Sequence, residues 1–325
     1  MSSRPLEIVA FLDRHNWGAA RAEALEGDFS PRRYARLTKD SGETAFLMDA
    51  DTDQKTPEFL TVAKILHQAS VHAPEIYAAE ADQGLVLMQD FGVRNVGALL
   101  DAGEPPRPFY LRAAEVLARL HRGFNVTAKL DLDLPRFNTG LFTAQAELFL
   151  DAYFPFATKR PASDEERQEF RAAWQAVLRP IEDMPQSLLL RDFMPDNLMD
   201  LPNGGLGVLD FQDAGIGPVS YDLASLCEEV RRDGGFAMLP DVIAYYREMT
   251  ESPASQADLL RACTILSAQR HMRVLGIVVR MAAEKGRRDI LVFLPRIRQH
   301  LARILDEPYL LPVQAWVKEL GGALL

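Results

Sequence analysis

The sequence predicts an α+β protein with two lobes, a small lobe built on an antiparallel sheet and a larger lobe that is mostly helical. Short strand-like runs separated by turn residues fill much of the chain before Gly92. After that point, apolar residues recur mainly at helical spacing. We therefore expect a first lobe of residues 1–91 and a second lobe of residues 92–325.

The first lobe begins with an amphipathic helix, because charged residues interrupt the apolar ones between Met1 and Trp17. The polar segment Lys39–Glu43 has the composition of a hairpin turn between two strands. Pro57 suits the first turn of a helix that runs to about Ser70. The strands are predicted at residues 33–38, 44–48, 75–79 and 84–89.

The second lobe is predicted to be helical on both sides of one non-helical segment, residues 187–217. Phe109, Ala113, Val116 and Leu120 show the helical spacing that identifies its first helix. The other helices are predicted at residues 139–154, 164–181, 220–231, 238–250, 256–284 and 287–304.

The composition is that of an ordinary globular protein, with 48% hydrophobic and 25% charged residues in 325. A net charge of −10 argues against a nucleic-acid partner. Cys227 and Cys263 are too few for a disulfide framework and lie in apolar contexts. No uncharged apolar run is long enough to cross a membrane, so we expect a cytoplasmic protein without a membrane partner. The sequence does not indicate the oligomeric state.

The non-helical segment contains the residues with the clearest chemical pattern. Asp192 and Asn197 lie five positions apart in a polar loop, and Asp210 follows an apolar strand. Phosphoryl transfer requires a carboxylate that orients the attacking hydroxyl, together with oxygen ligands for a magnesium ion on the nucleotide phosphates. The three residues supply that set, with the loop spacing of a kinase catalytic motif.

These motifs resemble those of the aminoglycoside phosphotransferase superfamily, which shares the protein-kinase-like fold. Within it, Leu209–Ala214 and Tyr221–Leu226 are similar to the anomeric kinases of cell-wall amino sugars, N-acetylmuramate and N-acetylglucosamine. The resemblance spans roughly residues 5–300 and implies ATP and Mg²⁺ as cofactors. It further implies that Asp192 is the catalytic base and that Asn197 and Asp210 are magnesium ligands.

The resemblance also implies a nucleotide site in the first lobe, with one departure from the kinase pattern. The third strand has no lysine for the ATP phosphates, so Arg32, or else Arg33, is the candidate for that role, with Ser30 in the same loop. The adenine would pair with the backbone of four consecutive residues, Met88, Gln89, Asp90 and Phe91.

The predicted function is transfer of the ATP γ-phosphate to a hydroxyl of a small molecule, and the resemblance favours the anomeric hydroxyl of a cell-wall amino sugar. An aminoglycoside or choline-type kinase of the same fold is an alternative. A pseudokinase or nucleotide-binding scaffold is another. The absent lysine supports a pseudokinase or scaffold, whereas the intact set of Asp192, Asn197 and Asp210 opposes that alternative.

Three further features are given structural roles. Asp222 is expected to stabilise the N-terminus of its helix. His121 is expected to pack within its helix environment. The segment Arg270–Arg273 is expected to form part of an exposed basic helix face.

Overall fold

The computed structural model describes residues 4–25, 32–50, 55–126 and 133–319. The chain forms two compact units. The first comprises Met1–Ala102 together with Pro195–Asp213, and the second comprises Gly103–Met194 together with Ala214–Leu325. The predicted α+β class, with a small sheet lobe and a larger helical part, is confirmed. The boundary predicted between residues 91 and 92 stays a prediction.

The first unit is built on a five-stranded antiparallel sheet with the strand order β1-β2-β3-β5-β4. The strands are β1 (Arg21–Leu25), β2 (Arg33–Thr38), β3 (Thr44–Asp49), β4 (Ile76–Glu80) and β5 (Leu85–Gln89). The helices are α1 (Arg4–Arg14), α2 (Thr56–Gln68) and α3 (Val96–Asp101). Sequence analysis missed β1, because all of its residues are exposed and none of them is β-branched or aromatic.

One face of this sheet packs against α1 and the residues that follow it. Alternate residues of the central strands point to the same side, so Leu47 of β3 and Leu85 and Leu87 of β5 form one core. Phe11 of α1 and Trp17 complete that core. Burial of this face holds the sheet in a fixed register.

The first unit also contains a small hairpin from the middle of the chain, with strands β7 (Leu198–Asp200) and β8 (Leu206–Val208). Its turn includes Gly204 at φ 80°, a conformation that favours glycine. Gly207 leaves room for the Phe91 ring, which a Cβ would approach to 2.6 Å. The Val208 N–H donates to the His72 carbonyl at 2.8 Å, which joins this hairpin to the segment after α2.

The second unit is mostly helical and contains one two-stranded antiparallel sheet, β6 (Gln186–Leu189) with β9 (Gly215–Pro218). Its helices are α4 (Pro106–Gly123), α5 (Thr139–Ala146), α6 (Phe154–Thr158), α7 (Asp164–Leu178), α8 (Ser220–Cys227), α9 (Gly235–Thr250), α10 (Gln256–Glu284), α11 (Leu294–Leu305) and α12 (Leu311–Glu319). Within the described ranges, none of the helices combines the length and the apolar character needed to span a membrane.

The helix predicted at 139–154 is interrupted. It forms α5, then a π-helical turn at Phe149–Tyr153, then the short helix α6. A π turn inserts an additional residue into the helical repeat. It keeps Phe149, Tyr153 and Phe154 buried in one core.

The long helix α10 lies at the centre of the second unit's core and contributes buried residues on several faces. Gly276 allows close packing, because a Cβ at this position would lie 2.4 Å from the Leu148 carbonyl oxygen. Sequence analysis missed α12, which adds Trp316 to the same core. The Trp316 indole donates to the Glu166 carbonyl of α7 at 3.0 Å.

Helices α4 and α9 meet at His121, which packs as expected. Its Nδ1 lies 2.7 Å from the Tyr246 hydroxyl of α9. The Nε2 atom is closed off from solvent and has no hydrogen-bond partner among the described residues. Burial therefore disfavours the charged imidazolium and lowers the pKa of His121 to about 3.

This depressed pKa predicts an acid-sensitive fold. Between the ordinary histidine pKa of 6.5 and about 3, the unfolded chain binds a proton at His121 that the folded chain does not. The free energy of unfolding should therefore fall as the pH decreases, by about 2 kcal/mol from pH 7 to pH 5 for this residue alone. Urea unfolding of the wild type and of His121→Asn, at both pH values, measures the contribution.

Asparagine keeps a polar atom near the Nδ1 position and removes the titration, so the variant should lose less stability between pH 7 and pH 5 than the wild type does. The exposed His67 provides the control, since His67→Gln should retain the wild-type pH dependence. Equal losses in the wild type and in His121→Asn would show that His121 is not responsible.

Candidate active site

The loop that follows β6 carries Asp192, the predicted base, and its backbone is held by α8. The Asp222 carboxylate accepts from the Leu190 N–H at 2.6 Å and from the Arg191 N–H at 2.8 Å. The Ser225 hydroxyl donates to the Arg191 carbonyl at 3.0 Å. Arg191 has φ 70°, a left-handed conformation that is unusual for a residue other than glycine. Bonds on both sides of this residue maintain the strained backbone next to Asp192.

Asp222 is fully buried, and its role differs from the one predicted. Its carboxylate lies in the first turn of α8 but binds the loop after β6 rather than the start of its own helix. Burial raises the pKa of Asp222 to about 7, although the two backbone N–H groups favour the charged form. Asp222 therefore fixes the loop that presents Asp192.

Asp192 lies beside several arginines. An Nη of Arg270 in α10 is 3.4 Å from the Asp192 Oδ1, and the Asp192 side chain is 36% exposed. Burial alone would raise the pKa of Asp192, but the charges of Arg270, Arg273 and Arg191 outweigh this effect and hold the pKa below its ordinary value. Asp192 is consequently a carboxylate at neutral pH, able to accept a hydrogen bond from a hydroxyl.

The expectation that Arg270–Arg273 forms an exposed face is wrong for Arg270 and His271, which are both buried. Helix α10 is apolar around much of its circumference, so it is a core helix and not a surface helix. The spacing of Arg270 and Arg273 places them on one side of that helix. A long helix with apolar residues on several faces was the signal that could have identified them.

The hairpin of β7 and β8 brings the two predicted magnesium ligands together. Leu198 pairs with Val208, so Asn197 and Asp210 flank the same end of the hairpin. The Asn197 Nδ2 lies 3.5 Å from the Asp210 Oδ2, and the Gln212 amide donates to the Asp210 Oδ1 at 2.7 Å. Asp210 also has a left-handed backbone, φ 58°. Amide and carboxylate oxygens are suitable ligands for Mg²⁺, so these residues fit the ion implied by the resemblance.

Arg32, the first candidate for phosphate binding, is buried near this hairpin. Its guanidinium lies over the Phe59 ring of α2, 5.9 Å from the centroid. Phe59 stacks on Phe211, the neighbour of Asp210, with 4.8 Å between centroids. Burial raises the pKa of Tyr34; the charge of Arg32 and a hydrogen bond with it oppose this rise, and the charge of Asp210 adds to it. The contacts place Arg32 close to the predicted magnesium ligand.

Arg33 is engaged differently. It pairs with Asp49 at 2.7 Å, and Arg4 of α1 donates to the same carboxylate at 2.8 Å. An acid thus lies at the end of β3, the strand in which the kinase pattern has a lysine. Because its guanidinium is held by Asp49, which it shares with Arg4, Arg33 is less suited to binding phosphate than Arg32.

Lys55 is a basic residue that the sequence analysis did not single out. It precedes α2, and its Nζ lies 2.5 Å from the Asp213 carboxylate. Asp213 follows Asp210 by three residues, so a second cation lies near the predicted metal ligands. A single lysine after an acidic loop carries little signal in the sequence. The predicted residue Ser30 lies outside the described residues.

The segment predicted to bind adenine follows β5. Met88 is a buried residue of this strand and pairs with Phe46 of β3. The Gln89 N–H donates to the Glu75 carbonyl at 2.8 Å. The Asp90 carboxylate accepts from the Gly92 N–H at 2.7 Å and pairs with Arg36 at 2.8 Å. These bonds fix the turn that leads to Phe91, and the adenine-binding role of the segment stays a prediction.

A separate cluster in the second unit contains Glu228, His271 and His300, whose potential ligand atoms all lie within 4.8 Å of one another. Arg303 donates to both carboxylate oxygens of Glu228 at 2.9 Å. Burial lowers the pKa of His271, which favours the neutral ring. The arginine already supplies the counter-charge that a cation would provide, so we interpret this cluster as a structural contact between α8, α10 and α11.

Comparison with known proteins identifies the relatives of this chain. Residues 21–257 match the family model APH, described as "Phosphotransferase enzyme family". The N-acetylmuramate/N-acetylglucosamine kinase of Pseudomonas putida is 29% identical over 303 residues, 89% of this chain and 86% of the relative. The protein of the same name from Pseudomonas aeruginosa is 30% identical over 305 residues, 88% of this chain and 85% of the relative.

Solved structures show the same fold at lower identity. The GDP complex of wild-type aminoglycoside 2′-phosphotransferase-IIIa has a TM-score of 0.64 and 17% identity, covering 93% of this chain and 99% of that chain. A choline/ethanolamine kinase family protein from Mesorhizobium loti has a TM-score of 0.61 and 16% identity, covering 96% and 99%. The predicted resemblance is therefore confirmed, and this chain belongs to the phosphotransferase enzyme family.

Proposed function

We propose that this phosphotransferase moves the γ-phosphate of Mg·ATP to a hydroxyl of a cell-wall amino sugar. The observation that carries the proposal is the Asp192 carboxylate, 3.4 Å from Arg270 and on a loop fixed by Asp222. A carboxylate held in this way can orient an acceptor hydroxyl without losing its charge at neutral pH. The names of the curated relatives support an amino sugar as the acceptor.

In this proposal Asp192 acts mainly by positioning. It accepts the hydroxyl hydrogen bond, which points an oxygen lone pair toward the phosphoryl group. The surrounding arginines lower its basicity, so the proton moves to Asp192 only as the hydroxyl oxygen becomes acidic during bond formation. The proton leaves the acceptor hydroxyl, the new O–P bond forms, and the bond to the leaving nucleotide oxygen breaks.

Asn197 and Asp210 would hold the magnesium ion, which supplies charge neutralisation on the nucleotide phosphates. Their common position at one end of the β7–β8 hairpin supports this assignment. Arg32 would contact a phosphate, and its stacking on Phe59 restricts the guanidinium to the neighbourhood of Asp210. The retained oxygen ligands oppose a scaffold without turnover.

The proposed activity is tested by measuring Mg·ATP consumption with a panel of acceptors. We expect turnover with N-acetylglucosamine or N-acetylmuramate and little with choline or kanamycin, and chelation of divalent cations should abolish it. A sugar derivatised at its anomeric hydroxyl should not be phosphorylated if that oxygen is the acceptor. Preferential turnover of choline or kanamycin would contradict the proposed acceptor class, and no turnover with any acceptor would support the scaffold reading.

Replacement of the base provides a second prediction. Asp192→Asn keeps the shape of the side chain but cannot accept the proton, so kcat should fall by about 10²- to 10⁴-fold. The dissociation constant for Mg·ATP should change by less than about threefold. Asp183→Asn, at an exposed position of the same unit, is the matched control and should retain activity. A near-wild-type kcat for a folded Asp192→Asn enzyme would rule out this base.

The two arginines of the first unit give a third prediction. Arg32→Gln should raise the KM for ATP by about tenfold or more, because it removes a charged hydrogen bond to phosphate. Arg33→Gln should have a smaller effect, since Arg33 pairs with Asp49. Thermal unfolding of both variants separates loss of binding from loss of folding. An unchanged KM for ATP in Arg32→Gln would mean that another group binds the phosphate.

A further inference from the structure

The surroundings of Asp192 contain more positive than negative charge. Three guanidinium groups, those of Arg191, Arg270 and Arg273, act on this carboxylate. Asp222 is the second carboxylate that acts on the same group of residues, and its two backbone N–H donors occupy it. The Tyr221 phenol also belongs to this group, and the three arginines lower its pKa against the effect of burial. Even with both carboxylates ionised, one positive charge remains without a carboxylate counterpart.

The excess charge is associated with Arg191 and Arg273. Arg270 pairs with Asp192, whereas neither of the other two guanidinium groups makes an ion pair with a described residue. Their Nε atoms are closed off from solvent and have no hydrogen-bond partner in the described part of the chain. The protein therefore supplies no acceptor for the Nε–H groups of these two charged side chains, which is costly unless an anion bound at the guanidinium groups offsets it.

Helix α10 and a contact with the Phe137 ring fix the positions of these arginines. Arg273 follows Arg270 by three residues on α10, which places the two side chains next to each other. Arg191 directly precedes Asp192, and its guanidinium lies over the Phe137 ring at 4.9 Å from the centroid. Restricted guanidinium groups suit a planar anion, because a carboxylate can accept from two N–H groups held in a fixed orientation.

Two anions are candidates for binding to Arg191 and Arg273: a carboxylate of the acceptor and the transferred phosphoryl group. The cluster lies beside the carboxylate that would bind the acceptor hydroxyl, and all of its residues belong to the second unit. The first unit has Arg32 and Lys55 near its own predicted metal ligands. These observations favour a carboxylate of the acceptor, rather than the phosphoryl group, as the anion that binds Arg191 and Arg273.

We infer that Arg273, together with Arg191, forms a carboxylate-binding site for the acceptor and makes the enzyme selective for acidic hydroxyl compounds over neutral and cationic ones. The inference rests on the proposed function and adds a determinant of specificity to it. Arg270 has a different role as a positioning residue, because it is already paired with Asp192.

Matched acceptors isolate the effect of charge. N-acetylmuramate carries a carboxylate, its methyl ester has nearly the same shape without the charge, and N-acetylglucosamine lacks the whole acidic substituent. The wild type should have a kcat/KM about tenfold or more higher for the acid than for the ester, as expected for a charge-assisted hydrogen bond.

Arg273→Gln should reduce this acid-to-ester ratio toward one, mainly through a higher KM for the acid, and Arg273→Lys should retain part of it. Arg280→Gln is the control. It removes an arginine two turns further along α10 at an exposed position, and it should keep the wild-type ratio. Thermal unfolding verifies that each variant is folded.

Three results would overturn the inference. The wild type could show equal kcat/KM for the acid and its ester. Arg273→Gln could preserve the acid-to-ester ratio. It could also lower kcat for all acceptors equally and raise the KM for ATP, which would assign Arg273 to the phosphoryl group. A wild type that phosphorylates none of these sugars would instead contradict the proposed function itself.

Discussion

The Asp222 carboxylate provides the constraint on which the loop after β6 depends. It accepts two consecutive backbone N–H groups, from Leu190 and Arg191, and this arrangement holds Arg191 in a left-handed conformation. Without those bonds the loop would have no reason to keep a strained backbone. The direction of the Asp192 side chain is therefore determined by a residue thirty positions later in the chain. The burial of Asp222 explains why its own pKa is raised to about 7.

Helix α10 combines two roles that are usually assigned to different elements. Its apolar residues form much of the second unit's core, and Arg270 on the same helix pairs with Asp192. A guanidinium on a well-packed helix loses little additional conformational freedom when it binds an anion. The electrostatic surroundings of Asp192 are thus established by folding. Arg270 keeps its charge in a buried position because Tyr221 and Asp192 outweigh the effect of burial and raise its pKa.

Much of this fold could be predicted from the sequence, because most elements have one buried face. The strands β2, β3 and β5 and the long helix α10 show clear periodicity and were predicted within a residue or two. Strand β1 has no buried face and no β-branched or aromatic residue, so its sequence does not favour a strand. For the site, the sequence predicted Asp192, Asn197 and Asp210 from their types and spacing. It could not predict Arg270 or the bonds of Asp222, since these depend on contacts between distant segments.

The π-helical turn at Phe149–Tyr153 has a consequence for how this part of the chain can vary. One extra residue shifts the angular phase of everything that follows by about 100° relative to a continuous α-helix. The buried aromatic residues on either side therefore belong to two different helical phases that happen to meet in one core. Shortening the turn by one residue would restore regular geometry while rotating Phe154 out of alignment. Relatives that lack the turn would need a different set of core side chains here, so insertions and packing at this point must change together.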